Sequence, residues 1–461
     1  MTPHRPPSES EPEAGQVCET DPIRVAASFV GCKVSQADGE EALAGLAAAG
    51  LEPVTSREAA DVVVVHTCCV TAEAERKSRR LVRRAASAGK RVVVAGCAAA
   101  LRPEQFVAEG VTVAARPDWA EVADELANAG ESSLDDRRGG ECDDPGVRAE
   151  VGAGPGTHPQ HPHIPAPPAT PGARTRLVLK VQDGCSGACT YCVVRLVRGR
   201  PRSTSLEAAL AAARVGLARG CGEVVLSGID LGAWRDEEAG KAGRLPELLA
   251  GVAELEGLRR VRLSSIEPRH VTPALLELLA HPRVARHLHV PLQSADDGVL
   301  RAMKRPYTFE EYLGAVEGLG DVPGGVMLST DVIVGFPAED EAAFGRTLAA
   351  LQGGLFGRAH VFAYSARPGT AAAALPPLPA ALVKARMGAA LAAAEAAARA
   401  ARQAALGRTA EVLVEDRRDG LLRGYSSQYI RYYLDGAAQP GTMVRAVATA
   451  AHDDGVKGKM A

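Results

Sequence analysis

Short apolar runs that alternate with helical patterns constrain the fold of this chain more than any other feature. From Ile23 the runs are Arg24-Val-Ala-Ala-Ser-Phe, Asp61-Val-Val-Val-Val-His and Arg91-Val-Val-Val-Ala, with helical patterns over 40–49 and 76–88 between them. A strand that is apolar at every position is buried on both faces, and a helix between two such strands lets them lie parallel. A small parallel α/β unit ending near Ala129 is therefore expected. A second series begins near Thr175, with strand candidates at 177–182, 223–227, 260–265, 287–291, 327–335 and 360–364. Helical patterns separate most of these, which predicts an open or closed parallel βα barrel. Prolines at 376, 377 and 379 then precede an alanine-rich helix over 381–405, whose Arg386, Glu395, Arg399 and Arg402 make it a poor membrane span. The tail from Gly407 changes to short alternating strands around Thr409-Ala-Glu-Val-Leu-Val, Leu421-Leu-Arg-Gly-Tyr-Ser, Tyr429-Ile-Arg-Tyr-Tyr-Leu and Thr442-Met-Val-Arg-Ala-Val-Ala. That pattern predicts a small antiparallel barrel that leans on the preceding domain, because roughly 50 residues make a marginal core alone.

The rest of the chain is connective. Residues 1–21 are rich in Pro and Glu and read as a disordered leader, with Cys18 incidental. Residues 130–173 turn to Gly, Pro, His and acidic types and read as a flexible linker. Its His158, His161 and His163 are spaced by prolines and read as solvated, as does Cys142. The division expected is thus 1–21, 22–129, 130–173, 174–405 and 406–461. A net charge of −3 gives no bulk attraction to nucleic acid, so any such contact must come from local patches. Ten cysteines behind a start without an apolar targeting segment point to reduced thiols in the cytoplasm. The longest apolar runs fall far short of the roughly 20 residues that span a bilayer.

Two sets of cysteines carry the chemistry. Cys185-Ser-Gly-Ala-Cys-Thr-Tyr-Cys192 places three thiols in the spacing CxxxCxxC, just after the first strand of the second series. That is the carboxyl edge, where βα folds place active sites. A four-iron cluster held by three thiolates leaves one iron open for a cofactor, whereas electron carriers and structural zinc sites take four ligands. The alternative is a zinc knuckle completed by a distant residue. In the first domain Cys32, Cys68 and Cys97 each follow a predicted strand. Parallel strands present their carboxyl ends on one edge, so these three can converge; the alternative is that each is a small buried hydrophobe. Cys69 reads as a spare thiol pointing elsewhere, and Cys221 as core.

Taken together these residues resemble the radical S-adenosylmethionine methylthiotransferases, from about Ile23 to the end of the chain. The resemblance extends to Gly228-Ile-Asp-Leu-Gly, Leu263-Ser-Ser-Ile-Glu-Pro, His287-Leu-His-Val-Pro-Leu-Gln-Ser and Thr330-Asp-Val-Ile-Val-Gly-Phe-Pro. Gly31-Cys-Lys-Val-Ser-Gln and Thr67-Cys-Cys-Val-Thr-Ala-Glu-Ala-Glu-Arg-Lys-Ser-Arg are similar to the branch acting on threonylcarbamoyladenosine beside the tRNA anticodon. The isopentenyladenosine branch and the ribosomal-protein aspartate branch differ where this chain has Lys33-Val34. His66, Ser35, Ala98 and Arg195 depart from the family pattern but leave both cysteine triads intact.

The resemblance implies two four-iron, four-sulfur clusters and S-adenosylmethionine as radical source and methyl donor. Cys185, Cys189 and Cys192 would hold the radical-generating cluster, and Cys32, Cys68 and Cys97 the auxiliary, sulfur-donating one. Hydrogen would be taken from carbon 2 of the adenine and a methylthio group placed there. The implied partners are tRNA and an electron donor such as flavodoxin or ferredoxin, the implied state a monomer, and the implied tail a TRAM-type barrel. For the cofactor the strand ends offer Ser227, Gly228 and Asp230, then Gln293, Ser294 and Asp331, with Tyr191 packing on adenine or covering the cluster; for Ser294 and Asp331 turn or capping chemistry is the other reading. Arg198, Arg200 and Arg202 can meet an RNA phosphate, the cofactor carboxylate or only solvent. Arg423, Tyr425, Tyr429 and Arg431 are the candidates for RNA contact, with part of the tail's tyrosines expected in its core.

Overall fold

The computed structural model describes residues 22–131, 175–236 and 243–461. The expected leader, the expected linker beyond residue 131, Cys18, Cys142, His158, His161 and His163 lie outside these residues. The first unit contains β1 Arg24–Phe29, α1 Lys33–Ala48, β2 Glu52–Pro53, β3 Val62–Thr67, α2 Ala72–Ser87, β4 Arg91–Gly96, α3 Cys97–Leu101, β5 Val111–Val113 and α4 Trp119–Glu131. Its five strands are all parallel in the order β2-β1-β3-β4-β5. The alternation of a strand explains its all-valine runs: Val62 and Val64 enter the core under α1 and α4, whereas Val63 and Val65 enter the one shared with Val82 of α2. Helix α1 begins at Lys33, earlier than the pattern predicts. Its Gly39 lowers helix propensity, but Val34, Ala37 and Gly39 are buried there, so tertiary packing decides the start.

The second unit runs β6 Arg176–Lys180, α5 Val194–Arg198, α6 Leu206–Ala218, β7 Glu223–Ser227, α7 Leu245–Ala253, β8 Arg260–Leu263, α8 Pro273–Leu279, β9 His287–His289, α9 Asp297–Ala302, α10 Phe309–Glu317, β10 Met327–Val334, α11 Glu341–Gln352, β11 Arg358–Ala363 and α12 Ala380–Ala405. Strands β6-β7-β8 and β9-β10-β11 form two parallel sheets, and single parallel bridges Val261↔Val284 and Ser265↔His289 join them. The result is an open partial barrel in chain order. Leu177, Leu179, Val224 and Leu226 pack outward into the main core. Val178 and Val225 point to the opposite face and meet Ala37 of α1, so the first unit sits against the inner face of the barrel.

The tail folds as β12 Thr409–Arg418, β13 Leu421–Ser426, β14 Arg431–Leu434, β15 Met443–His452 and β16 Gly455–Met460, a closed barrel in the order β12-β13-β14-β16-β15. It differs from the expected antiparallel barrel at its closure, where β14 and β16 pair parallel. Strand β14 also begins at Arg431 instead of Tyr429, whose positive φ of 64° breaks the extended run. The strand β16, Gly-Val-Lys-Gly-Lys-Met, has too few apolar residues to be read as one from sequence.

The tail barrel docks on the first residues of successive barrel strands. Arg176 pairs with Glu415 at 2.7 Å, and buried Glu223 accepts from Arg260 Nε at 2.5 Å and Arg262 Nε at 3.0 Å. The other ends of these guanidiniums donate to the carbonyls of Tyr425 at 2.9 Å, Ser426 at 3.1 Å and Ser427 at 3.1 Å. Burial pushes the Glu223 carboxyl up, but Arg262 and Arg260 outweigh it and hold it at about 2. Removing one partner of a buried ion network leaves the others uncompensated, at a cost of about 3–5 kcal/mol. Glu223→Gln should therefore lower the melting temperature at neutral pH. The stabilisation from a depressed carboxyl is complete above its unfolded value of about 4.3 and disappears as pH falls through the folded value. The gap in melting temperature between wild type and variant, followed by calorimetry, should accordingly narrow from about pH 4.3 downward; a constant gap would show that the charge of Glu223 is not what holds the interface.

Candidate functional site

The three cysteines of the first unit come to one edge of the sheet because β1, β3 and β4 are neighbours. Cys68 and Cys97 directly follow β3 and β4, and Cys32 follows β1 across the turn at Gly31. Gly31 has φ of 122°, and a Cβ there would lie 2.9 Å from the Cys68 sulfur. The turn therefore needs glycine to bring Cys32 against Cys68. Ser78 of α2 accepts from the Cys68 amide at 3.2 Å, and the Thr67 hydroxyl ties β3 to Ala95 at 2.7 Å and to the Ala99 amide at 3.0 Å. Cys32 is exposed while Cys68 and Cys97 are buried. Burial raises the Cys68 thiol to about 12, with Cys32 and Cys97 adding to the rise. Cys69 does not point away as expected: it is buried beside Cys97 and hydrogen-bonded to it. That bond and the Arg198 guanidinium lower Cys97, while Cys69 is raised.

The loop carrying Cys185, Cys189 and Cys192 leaves β6 through Gln182–Asp183. At Gly184, with φ of 72°, a Cβ would fall 2.0 Å from the Arg200 carbonyl, so the loop can close only on glycine. The Gly187 amide donates to Cys185 Sγ at 3.2 Å, and Thr190 is pinned by Met303 and Ala302 carbonyls at 3.0 and 2.9 Å. Burial raises the Cys192 thiol to about 11, with Cys189 and Cys185 contributing. Arg305 donates to Cys189 Sγ at 3.4 Å and pairs with Glu267. The sequence reveals neither interaction, because both residues lie in loops far from the CxxxCxxC.

One charge cluster joins the two sets of thiols. Helix α5, which starts two residues after Cys192, is preceded by Val193, and Val193 and its own Val197 are buried in the core of the first unit. Its Arg198 donates to Cys97 Sγ at 3.2 Å, to Asp38 at 2.6 Å and to Asp183 at 3.2 Å. Lys180 reaches Asp38 at 2.6 Å and Glu41 at 2.7 Å. Burial raises the Asp38 carboxyl, but Lys180 and Arg198 outweigh it and hold it well below the usual carboxylate range. Arg198 is thus an internal link between the units, neither solvated nor free for phosphate. A second clamp pairs Arg367 with Glu75 at 2.7 Å and Ser365 with the Ala72 amide at 3.1 Å.

The other expected site residues fall into distinct settings. Ser227 and Ser264, at the ends of β7 and β8, are buried with hydroxyls that have no hydrogen-bond partner among the described residues. Unpaired buried hydroxyls of this kind suit a polar ligand. A Cβ on Gly228 would lie 2.9 Å from Gln182, which itself accepts from the Asp230 amide at 2.7 Å. Asp230 pairs with Arg269 at 2.9 Å, and Asp331 lies 3.1 Å from both His289 and His360. Gln293 takes a φ of 68° and pairs its backbone with Asp331. Ser294 is engaged elsewhere, bonded to Thr347 at 3.2 Å and to the Asp296 amide at 3.2 Å, which is turn chemistry. Tyr191 packs against the cluster of Val299, Met303 and Phe336.

In the tail, the residues expected to meet RNA are used within the fold. Arg423 pairs with Asp416 at 2.6 Å, and Arg431 bonds Asp454 and the Tyr425 hydroxyl. Tyr425 stacks on Tyr429 at 4.8 Å, and Tyr429 lies under Arg262 at 4.5 Å and Lys33 at 5.5 Å.

Comparison with known proteins agrees with this arrangement. Residues 179–351 match the Radical SAM superfamily model, and residues 24–115 match the Uncharacterized protein family UPF0004 model. The chain is 31% identical over 413 residues to the threonylcarbamoyladenosine tRNA methylthiotransferase MtaB of Thermotoga maritima, covering 88% of this chain and 90% of that one. It is 32% identical over 438 residues to a tRNA-2-methylthio-N(6)-dimethylallyladenosine synthase of Cereibacter sphaeroides, covering 93% and 96%. Among solved structures, the radical S-adenosylmethionine methyltransferase TsrM of Kitasatospora setae shares the fold at 14% identity, with a TM-score of 0.52 over 76% of this chain and 77% of that one. With two family-typical domains in order and relatives aligned along nearly its whole length, the chain belongs to the radical S-adenosylmethionine methylthiotransferases.

Proposed function

We propose that this enzyme adds a 2-methylthio group to N6-threonylcarbamoyladenosine beside the tRNA anticodon, with two four-iron, four-sulfur clusters and S-adenosylmethionine as cofactors. The observation that carries the reading is the Arg198 link, which holds a second cysteine triad against the loop of the first. When bound, the cofactors supply a 5′-deoxyadenosyl radical at one centre and sulfur and methyl at the other. The chain's own residues divide accordingly. Cys185, Cys189 and Cys192 would hold one cluster, with the Arg305 N–H donating to the Cys189 sulfur. Cys32, Cys68 and Cys97 would hold the other, with Arg198 on Cys97 and Cys69 beside it. Ser227, Gly228, Asp230, Gln293 and Asp331 line the cofactor's position at the carboxyl ends of the strands, and Tyr191 covers the cluster loop. The tail acts as a TRAM-type module, and a flavodoxin or ferredoxin supplies the electron.

Support for the threonylcarbamoyl substrate comes from Lys33-Val34 after Cys32 and from the Thermotoga relative. The Cereibacter relative, at 32% identity against 31%, favours a second substrate, the dimethylallyl nucleoside. Mass spectrometry of tRNA nucleosides from a deletion strain separates the two: loss of 2-methylthio-threonylcarbamoyladenosine is expected, and loss of the dimethylallyl product instead would transfer the assignment. After anaerobic reconstitution the protein should carry about eight irons, four per cluster; stoichiometric zinc without iron would make it a zinc-dependent RNA-binding module. Cys32→Ala should bring the iron content down to about four and abolish thiolation while 5′-deoxyadenosine still forms. Loss of both products would show that the two centres are not independent.

A further inference from the structure

One surface is out of keeping with the rest of the chain. Helix α2, Ala-Glu-Ala-Glu-Arg-Lys-Ser-Arg-Arg-Leu-Val-Arg-Arg-Ala-Ala-Ser, holds six cations (Arg76, Lys77, Arg79, Arg80, Arg83, Arg84) and two acids (Glu73, Glu75), a net of +4 in a chain whose total is −3. Glu75, Ser78 and Val82 form its buried face. At 100° per residue Arg76, Arg80, Arg83 and Arg84 fall on the other side, with half-buried Arg79 flanking Glu75; together with Ser87 the five arginines line one shallow hollow. Arg76 pairs with Glu73, and Arg79 with Gln105 at 2.5 Å. Arg80, Arg83 and Arg84 are exposed and have no hydrogen bond or ion pair among the described residues. Like charges three and four residues apart cost a helix about 0.2–0.5 kcal/mol per pair; Glu73 and Glu75 offset it at Arg76, Lys77 and Arg79, and Glu58 in part at Arg84.

We infer that the arginine face of α2 is a docking surface for the phosphate backbone of the RNA substrate, an inference that rests on the tRNA reading above. Two observations select RNA over another polyanion. The helix starts four residues after Cys68, and Ser78 on its buried face holds the Cys68 amide, so the element that carries the stripe is attached to the loop of the auxiliary thiols where the modified base would arrive. Its first turn is also clamped to the second unit through Ala72 and Glu75, so the stripe is fixed relative to both triads. From Arg76 to Arg84 the face extends about 12 Å along the axis, a length that meets a short run of backbone and not a single phosphate. Guanidiniums bind phosphate through forked N–H pairs, and five on one face supply position without sequence preference. Of the tail's arginines, Arg423 and Arg431 are already paired with Asp416 and Asp454, whereas Arg80, Arg83 and Arg84 are exposed and without such a partner among the described residues, on the helix whose Ser78 holds the Cys68 amide.

The test uses the full chain with both clusters reconstituted. In the triple variant Arg80→Glu, Arg83→Glu, Arg84→Glu, tRNA affinity measured at several salt concentrations should fall on the order of tenfold to a hundredfold. The slope of log affinity against log salt should flatten by about 2 to 3, near 0.7 to 0.9 for each phosphate no longer neutralised. The triple lysine variant should keep most of the affinity. Melting temperature and tRNA-independent formation of 5′-deoxyadenosine should stay as in wild type, since none of the three residues touches either triad. Unchanged affinity and slope in the glutamate variant would overturn the inference. So would intact tRNA affinity with slowed reduction by flavodoxin, which would assign the face to an acidic protein. Wild-type protein that binds tRNA but makes no methylthio product would instead count against the proposed reaction and leave the docking surface standing.

Discussion

The Asp38 carboxylate, shared between Lys180 of the barrel and Arg198 of the helix behind the CxxxCxxC loop, is the interaction on which the rest depends. Asp38 belongs to the first unit and both cations to the second. Three charged groups cannot be buried singly without a large desolvation cost, and together they satisfy one another. Because Arg198 also donates to Cys97, the contact that fixes one unit on the other fixes the distance between the two sets of thiols as well. The proposed reaction, with one centre as radical source and another as sulfur donor, needs such a fixed relation, since the reacting groups must be held in register. The Arg367–Glu75 pair and the Ser365–Ala72 bond provide a second attachment on the other side of the auxiliary triad.

The inner face of the barrel is polar for a related reason. Outward positions of β6, β7 and β8 are leucine and valine packed under helices, while inward positions include Glu223, Arg260, Arg262 and Ser227. At the amino ends of the strands those charges are consumed by docking the tail. At the carboxyl ends Ser227 and Ser264 stay unpaired and Asp331 is poised between two histidines. One sheet thereby carries a structural interface at one end and a ligand-ready edge at the other, as parallel sheets commonly do.

Much of this was legible in the sequence, and the rest was not for identifiable reasons. The valine runs announce β3 and β4 because a strand buried on both faces leaves no other reading. Cys68 and Cys97 are legible from those strands, since each follows its strand directly. Cys32 depends on the Gly31 turn, whose positive φ glycine permits but sequence does not announce. The roles of Arg198, Arg305, Glu267 and Asp38 could not be found this way: they come from contacts between segments separated by tens to over a hundred residues. The contacts made by the tail's candidate RNA residues were not legible either: Arg423 pairs with Asp416, Arg431 with Asp454 and the Tyr425 hydroxyl, and Tyr425 stacks on Tyr429, all through strand pairing that composition does not show. Strand β16 escaped notice because its pairing, parallel to β14, is satisfied by backbone and needs little apolar pattern.

The net charge hides how positive charge is distributed. Arg198, Arg260, Arg262 and Arg367 are buried and paired at interfaces between units, and Arg386 is buried and paired within the barrel unit. An arginine held by carboxylates inside the protein contributes nothing to the field felt by an approaching polyanion, because the pair is neutral at a distance. Only cations without a fixed acid remain to attract phosphate. A protein of net negative charge can therefore present a locally positive docking face, and its position is set by where arginines are left unpaired and not by where they are most numerous. In this chain Arg80, Arg83 and Arg84 of α2 satisfy that condition, on the helix whose buried Ser78 holds the Cys68 amide.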